Sequence, residues 1–191
     1  MNKPTFNIHI REAGLEDASS IARVRVASWQ STYHGIIPQN YLDSLSTAEY
    51  LGHWQGILAA NGRQGYTCVA ENEAGEIIGF ALGGGERSLD PKFEGELYAL
   101  YIMETYQRRG IGRNLVFTIA GYLVHEGINS MLAWVLSDNP ACAFYEALGG
   151  EPVYEKPMMI SGKELKQIAY GWSNLFPLVD PQKRRNFTYD E

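Results

Sequence analysis

Glycine and arginine residues are concentrated in one short segment near the middle of the chain, residues 107–113. The segment joins an apolar run over residues 96–103, which has the pattern of a buried strand, to apolar residues at helical spacing from Ile111 onward. A helix is therefore expected to begin within the segment. The first N–H groups of a helix lack intrahelical partners and lie at the positive end of its dipole, so they favour an anion. The spacing predicts a phosphate-binding loop.

The glycines and arginines of this segment have separate roles in that prediction. Glycine at positions 110 and 112 would let the backbone approach a phosphate, whereas a side chain there would stand between the amides and the ligand. Arg108, Arg109 and Arg113 would add charge-assisted hydrogen bonds. Arg108 and Arg109 could instead form a solvated charged pair. We favour the phosphate site, because two glycines at the start of a helix weaken it unless close backbone approach is needed.

The composition of the chain favours one enzyme domain. With 191 residues, 45% of them hydrophobic, it can bury one substantial core, and we predict a single domain over residues 1–179 and a frayed polar tail over 180–191. A net charge of −6 argues against bulk electrostatic binding of nucleic acid. The chain lacks the long apolar run of a membrane span or secretion signal, and its cysteines and histidines lack metal-ligand spacing. A cytoplasmic enzyme without a metal is expected.

The periodicity of apolar residues indicates an α/β domain. Strand patterns occur over residues 8–11, 66–71, 76–84, 96–103, 130–136, 152–160 and 164–172. Helical spacing occurs over residues 15–33, 41–45, 47–60, 111–126 and 139–148. The strand, helix and strand between residues 96 and 136 predict a parallel crossover. Two pairs of runs are typical of hairpins: 66–71 with 76–84, joined by a glycine-containing turn at 72–75, and 152–160 with 164–172, around Ser161-Gly162.

A second motif makes this pattern specific. The sequence Asn139-Pro-Ala-Cys-Ala-Phe-Tyr145-Glu-Ala-Leu-Gly149-Gly150 follows the segment Gln107-x-x-Gly110-x-Gly112. Together, in this order of elements, they resemble the GNAT superfamily of N-acetyltransferases over nearly the whole chain. The resemblance implies the GNAT fold, in which a central, twisted, mixed and mostly antiparallel sheet of about six to seven strands is flanked by about four helices.

The resemblance also implies acetyl-CoA as the donor of an acetyl group. Its pyrophosphate would bind the loop made of Gln107, Arg108, Arg109, Gly110, Ile111, Gly112 and Arg113. Its pantetheine arm would pair with the main chain of Leu100, Tyr101 and Ile102, whose side chains can then be ordinary apolar residues. Asn139 stands where family members often contact the cofactor arm, and it is also a helix cap.

Acetyl transfer from a thioester to an amine requires a neutral amine, a stabilised oxyanion and a protonated thiolate. Glu96 is the first candidate for the base, because family members with a glutamate base carry it here, and it shares strand parity with Tyr98, Leu100 and Ile102. Glu94 is the fallback, and the competing interpretation of Glu96 is an exposed or salt-bridged residue at a strand start. A backbone N–H of the same strand is expected to stabilise the oxyanion.

Tyr145 is the candidate that protonates the departing thiolate. The reference pKa values, about 10 for a phenol and roughly 8.5 for a thiol, make this step uphill by only about 2 kcal/mol. We prefer Tyr145 to Cys142, because an acyl-carrying cysteine needs an activating base and no histidine lies near it in sequence. The transfer would then be direct, in a ternary complex.

Aromatic residues are the candidates for the acceptor site. The segment over residues 29–38 resembles a motif of one bacterial GNAT subgroup and nominates Trp29, Tyr33 and His34, with core packing as the alternative for Trp29. Tyr98 and Trp134 would help to surround an ammonium group or an apolar acceptor.

Three functions are compatible with these residues. We predict a small-molecule amine as acceptor, in the form of a polyamine, an amino acid or an aminoglycoside-like compound. The alternatives are acetylation of a protein N-terminus, and a CoA-binding sensor or interaction domain that has lost catalysis. Retention of both Glu96 and Tyr145 favours an enzyme. The final hairpin could also pair two copies in a homodimer.

Overall fold

The computed structural model describes residues 7–60 and 65–182. Its strands are β1 (His9–Glu12), β2 (Tyr66–Glu71), β3 (Ile77–Gly85), β4 (Gly95–Ile102), β5 (Met131–Leu136), β6 (Glu151–Ile160) and β7 (Lys163–Trp172). Its helices are α1 (Ala18–Thr32), α2 (Gln39–Ser44), α3 (Thr47–Ala59), α4 (Ile111–His125), α5 (Ala141–Ala147) and α6 (Phe176–Val179). The sequence patterns predicted all of these elements except the short α6.

The strands form one sheet in the order β1-β2-β3-β4-β5-β7-β6. The neighbours β4 and β5 are parallel and are connected through α4, whereas the other neighbouring strands are antiparallel. This mixed, mostly antiparallel sheet flanked by helices confirms the predicted fold class. It also confirms the parallel crossover between residues 96 and 136.

Helices cover both faces of the sheet. Cys68 and Ala70 of β2 are buried in the cluster that contains the apolar residues of α4, whereas Val69 between them is buried in the cluster that contains those of α1. Because successive strand residues point to opposite faces, α4 and α1 lie on opposite sides of the sheet. The central strands that carry the candidate site are therefore held from both sides.

Strands β4 and β5 separate partway along their length. Their parallel ladder contains three residue pairs, of which the last joins Leu97 to Ala133. Beyond Leu97, β4 continues to Ile102 paired with β3, and β5 continues to Leu136 paired with β7. A cleft therefore opens in the middle of the sheet, and no strand of the described residues pairs with the edge of β4 that faces that cleft.

A β-bulge lies in β4 at the point of separation. Leu82 of β3 is opposite Ala99, and the next residue, Gly83, is opposite Leu97, so Tyr98 is an extra residue on the β4 side. A bulge increases local twist and redirects side chains, and bulges are common beside active sites. In this chain the bulge lies where the cleft begins.

The bulge changes which side chains of β4 share a face. Leu97 packs in the same cluster as Leu100 and Ile102, on the α4 side, whereas Tyr101 packs on the α1 side. The prediction that Glu96 shares strand parity with Leu100 and Ile102 is therefore wrong. Simple alternation fails because the extra residue shifts the side-chain period by one.

The polar tail predicted for residues 180–191 lies, from residue 183 onward, outside the described residues. In the described part of the chain, no helix combines the length and the apolar character needed to cross a membrane.

Candidate active site

A cavity of about 430 Å³ opens where β4 and β5 separate. Its wall is formed by β4, β5, the end of α1, the loop after β3, and the outer strands β6 and β7. The lining residues include Trp29, Tyr33, Glu86, Arg87, Ser88, Glu96, Tyr98, Tyr101, Trp134, Lys156, Met158, Ile160 and Gln167. The cavity thus brings together the candidate base and most of the residues predicted for the acceptor wall.

Glu96 is buried and paired with a cation. Its side chain is 6% exposed, and its two carboxylate oxygens accept hydrogen bonds from Arg87, at 2.5 Å from Nη2 and 3.0 Å from Nε. The Arg87 guanidinium also lies 4.1 Å from the centroid of the Tyr98 ring. The hydrogen bonds to Glu96 raise the pKa of Arg87. The salt-bridged interpretation of Glu96 describes its contacts, and its role as base stays a proposal.

Glu94, the fallback base, is exposed and lies apart from the cavity. One of its carboxylate oxygens accepts a hydrogen bond from the Asn129 backbone N–H at 3.2 Å. The second acidic residue at the cavity is instead Glu86, whose carboxylate accepts hydrogen bonds from the backbone N–H groups of Ser88 and Asp90. Burial opposes its ionisation, but the hydrogen bonds from Ser88 and Asp90 lower the pKa of Glu86 overall.

Trp29 and Tyr33 form the wall at the end of α1. Their ring centroids are 4.9 Å apart, and the Tyr33 hydroxyl accepts a hydrogen bond from Asn139 Nδ2 at 3.2 Å. Burial raises the pKa of Tyr33, so its hydroxyl stays protonated. His34 is exposed, its Nδ1 is 3.0 Å from Gln39 Oε1, and it does not line the cavity.

The outer hairpin adds residues that sequence reasoning missed. Lys156, Met158 and Ile160 of β6 line the cavity at every second position, as one face of a strand does. Lys156 Nζ lies 3.7 Å from the centroid of the Trp134 ring, and Gln167 is the cross-strand neighbour of Lys156. The alternation of β6 was readable from the sequence, but which of its faces meets the cavity depends on tertiary packing.

The predicted phosphate loop, residues 107–113, leads into α4 through left-handed backbone. Gly110 precedes the first helical residue with φ of 76°, and Arg108 has φ of 60°, which is costly for a residue with a side chain. Gln107 donates from Nε2 to the Ile102 carbonyl at 3.1 Å, which ties the loop to the end of β4. Strained backbone of this kind is common at ligand clamps.

The two glycines of the loop serve different purposes. A Cβ at Gly110 would meet only the end of the Arg113 side chain, at 3.5 Å, so left-handed backbone is the reason for glycine there. A Cβ at Gly112 would lie 3.1 Å from Ile102 Cδ1 and 3.3 Å from Phe144 Cζ. The missing side chain of Gly112 therefore lets α4 pack closely on β4 and α5, and the approach of its backbone to a phosphate stays a prediction.

Asn139 uses both ends of its side-chain amide within the protein. Its Oδ1 accepts a hydrogen bond from the Ala141 N–H at 2.9 Å, which caps the start of α5, and its Nδ2 donates to Tyr33. Pro140 lies one residue before the first helical residue, Ala141. The cap therefore positions α5 and Tyr33 together, and a contact with the cofactor arm stays a prediction.

Tyr145 lies on α5 within the main core, beside the cavity rather than in its wall. Its ring is 5.8 Å from that of Tyr170 and 6.0 Å from that of Trp172, and burial strongly raises its pKa. Cys142 is half-buried, and its Sγ donates weakly to the carbonyls of Leu136 and Ser137. Burial also raises the pKa of Cys142, so the thiol stays protonated and is a poor nucleophile.

These features fit an extended ligand that carries phosphate. The free edge of β4 offers N–H and C=O groups to an amide-containing arm, and the first turn of α4 offers N–H groups to an anion. The cleft between them leads to the cavity that holds Glu96. The fold and site together are typical of an α/β transferase.

The chain belongs to the acetyltransferase (GNAT) family, whose family model matches residues 25–150. It is 42% identical over 171 residues to YuaI of Bacillus subtilis (strain 168), an N-acetyltransferase by name, with 90% of this chain and 96% of YuaI covered. This protein is thus an N-acetyltransferase of the GNAT family.

Solved structures share the fold. The PaiA N-acetyltransferase of Thermoplasma acidophilum, in complex with coenzyme A, superposes with a TM-score of 0.63 at 21% identity, covering 85% of this chain and 98% of that one. The protein yncA of Salmonella typhimurium, with its cofactor acetyl-CoA, gives a TM-score of 0.66 at 22% identity, covering 88% of this chain and 94% of that one.

Proposed function

We propose that this N-acetyltransferase moves the acetyl group of acetyl-CoA to the amine of a small molecule, by direct attack in a ternary complex. The observation that carries the proposal is the buried Glu96 carboxylate, which faces a cavity at the point where β4 and β5 separate. The cavity volume of about 430 Å³ is in the range of small-molecule sites. A polyamine, an amino acid or an aminoglycoside-like compound is the proposed acceptor.

The donor site is proposed on the cleft edge of β4 and the start of α4. Leu100, Tyr101 and Ile102 would bind the pantetheine arm through their main chain. The loop of residues 107–113 would hold the pyrophosphate through the N–H groups at the start of α4. The neighbours PaiA and yncA, which carry coenzyme A and acetyl-CoA, support this donor. Acetyl-CoA supplies an acetyl group activated as a thioester.

Two residues of the chain move protons in the proposed reaction. Glu96 takes a proton from the amine, directly or through water, as the nitrogen forms its bond to the thioester carbon. Each carboxylate oxygen retains a lone pair beside its hydrogen bond from Arg87, so the ion pair leaves Glu96 able to accept. Tyr145 gives its proton to the sulfur as the carbon–sulfur bond breaks, and solvent restores both groups.

A matched pair of variants tests the base. Glu96→Gln keeps the shape of the side chain and removes its basicity, so kcat/KM for thiol release should fall by about 100-fold. Glu94→Gln changes the same chemical group on the exposed side of the loop and should leave kcat/KM near the wild-type value. If Glu94→Gln is the inactive variant, or if Glu96→Gln retains full activity, the assignment of Glu96 is wrong.

The same thiol-release assay distinguishes the two alternative functions, acetylation of protein N-termini and CoA sensing. Turnover confined to peptides with a free N-terminus would favour acetylation of proteins. Tight binding of CoA without turnover on amines or peptides would favour a sensor.

Two further features belong to the proposal. A cytoplasmic location is supported by the free thiols of Cys68 and Cys142, since reducing compartments keep cysteines in this form. Pairing of two copies through the hairpin of β6 and β7 stays a prediction.

A further inference from the structure

The charge of the cavity differs from the charge of the chain. The chain has a net charge of −6, yet the cavity wall carries two carboxylates, Glu86 and Glu96, and two cations, Arg87 and Lys156. Three of these charges are satisfied within the protein, because Arg87 pairs with Glu96 and Glu86 accepts hydrogen bonds from its own loop. The cavity therefore offers a polycation no surplus of negative charge.

Two of the aromatic faces at the cavity, those of Tyr98 and Trp134, are also occupied by cations of the protein. Arg87 covers the ring of Tyr98 at 4.1 Å, and Lys156 covers the ring of Trp134 at 3.7 Å. An acceptor with several ammonium groups would need these faces for cation–π contacts and would meet like charges there instead. In the structure, the rings of Tyr98 and Trp134 therefore argue against a polycationic acceptor, although the sequence alone suggests one.

Lys156 has no ionic partner in the described part of the chain. No Asp or Glu carboxylate lies within 4.0 Å of its ammonium group there, and its contact is with the Trp134 ring. The nearby Lys166, on β7, is by contrast paired with Glu155 at 3.1 Å. The Trp134 ring holds Lys156 at the cavity wall, and the polar side chain of Gln167 lies next to it across β6 and β7.

We infer that the acceptor is an amine that carries an acidic group, as an amino acid does, and that Lys156 binds that acidic group. This inference rests on the proposed function and narrows its acceptor. The amine lies toward Glu96 on β4, whereas the carboxylate, or another anionic group of similar size, lies toward Lys156 and Gln167 on the hairpin. Lys156 is then a residue that determines specificity, and it takes no part in proton transfer.

Acceptors in matched pairs test this inference. Thiol release from acetyl-CoA is measured with free amino acids, with the corresponding amino acid amides, and with spermidine and an aminoglycoside. The amide has the less basic amine, which favours the amide chemically, so a preference for the acid must come from the site. The wild-type enzyme should give a kcat/KM for the best acid at least about tenfold above that for its amide.

Three variants separate charge recognition from structural damage. Lys156→Gln should raise KM for the acid by about tenfold or more, with little change in kcat and little change for the amide. Lys156→Arg keeps the cation and should retain the preference for the acid. Lys166→Gln, on the neighbouring strand, should change neither substrate.

The outcomes distinguish the two levels of the proposal. Amides or spermidine used as well as acids, or equal losses for acid and amide in Lys156→Gln, would overturn the inference and leave the acetyltransferase proposal intact. Absence of turnover on every acid, amide, amine and aminoglycoside would overturn the proposed small-molecule function, and the inference with it.

Discussion

Gly110→Ala is the most direct structural perturbation of the loop of residues 107–113, the proposed pyrophosphate site. Gly110 has φ of 76° at the residue that precedes α4, and a Cβ placed there meets only Arg113 Nη2, at 3.5 Å. The cost of alanine is therefore conformational, since left-handed backbone is disfavoured for residues with a side chain by about 1–2 kcal/mol. We expect the free energy of unfolding to fall by about that amount. If the backbone relaxes to escape the strain, the affinity for CoA will fall as well.

Gly121→Ala is the matched control in the same helix. Gly121 lies within α4, and a Cβ there would meet no atom within 4 Å. Alanine has the higher helix propensity, so this variant should gain up to about 1 kcal/mol. Urea unfolding gives both stabilities, and calorimetry gives the affinity for CoA. A Gly110→Ala variant as stable as the wild type, with unchanged CoA affinity, would refute the role assigned to left-handed backbone in this loop.

Three other variants test separate parts of the structure. Tyr145→Phe should lower kcat by about 100-fold, because it keeps the ring and removes the proton of the proposed acid; unchanged turnover with a verified amine would remove Tyr145 from the mechanism. Gly112→Val should lower the free energy of unfolding by about 1–3 kcal/mol, because its Cβ lies 3.1 Å from Ile102 Cδ1, and thermal unfolding would show whether it does. Burial of Asp17 opposes its ionisation, but hydrogen bonds from Arg11 lower the pKa of Asp17 below the usual 3.8. Ionised Asp17 therefore stabilises the fold above about pH 4, and this stabilisation is lost as pH falls through the lowered pKa. Asp17→Asn should reduce the loss of stability at acid pH, and an unchanged dependence of stability on pH would count against the ion pair of Arg11 and Asp17.

The order of elements could be predicted because it depends on local patterns. Alternating apolar residues, helical spacing and glycine-containing turns identified the seven strands and all helices except α6. The crossover from β4 through α4 to β5 followed from the order strand, helix, strand. These patterns are formed by residues that are close in sequence, and the folded chain has the secondary structure that each pattern predicts.

The face of the sheet on which each β4 side chain lies could not be predicted, because the bulge at Tyr98 depends on how β3 pairs with β4. One extra residue sends Leu100 and Ile102 to the face opposite the one expected from Glu96. The purpose of Gly112 was hidden for a related reason. A Cβ at Gly112 would crowd Ile102 and Phe144, and these residues approach Gly112 only in the tertiary structure.

The contacts of the charged side chains at the site could not be predicted from sequence patterns either. Arg87 lies in the loop after β3, and its pairing with Glu96 bridges nine positions in the chain. Lys156 lies on an outer strand, far in sequence from Trp134, which it covers. These contacts place a cation over the rings of Tyr98 and Trp134, and Lys156 has no ionic partner among the residues that the structure describes.

Product analysis by mass spectrometry tests the central claim most directly. The enzyme is incubated with acetyl-CoA and amino acid acceptors, and both the acceptors and the protein are analysed. Direct transfer predicts an acceptor that carries one acetyl group on its amine and a protein that carries none, with Cys142 as a free thiol. An unchanged acceptor beside bound, intact acetyl-CoA, or an acetyl group on Cys142, would contradict the account.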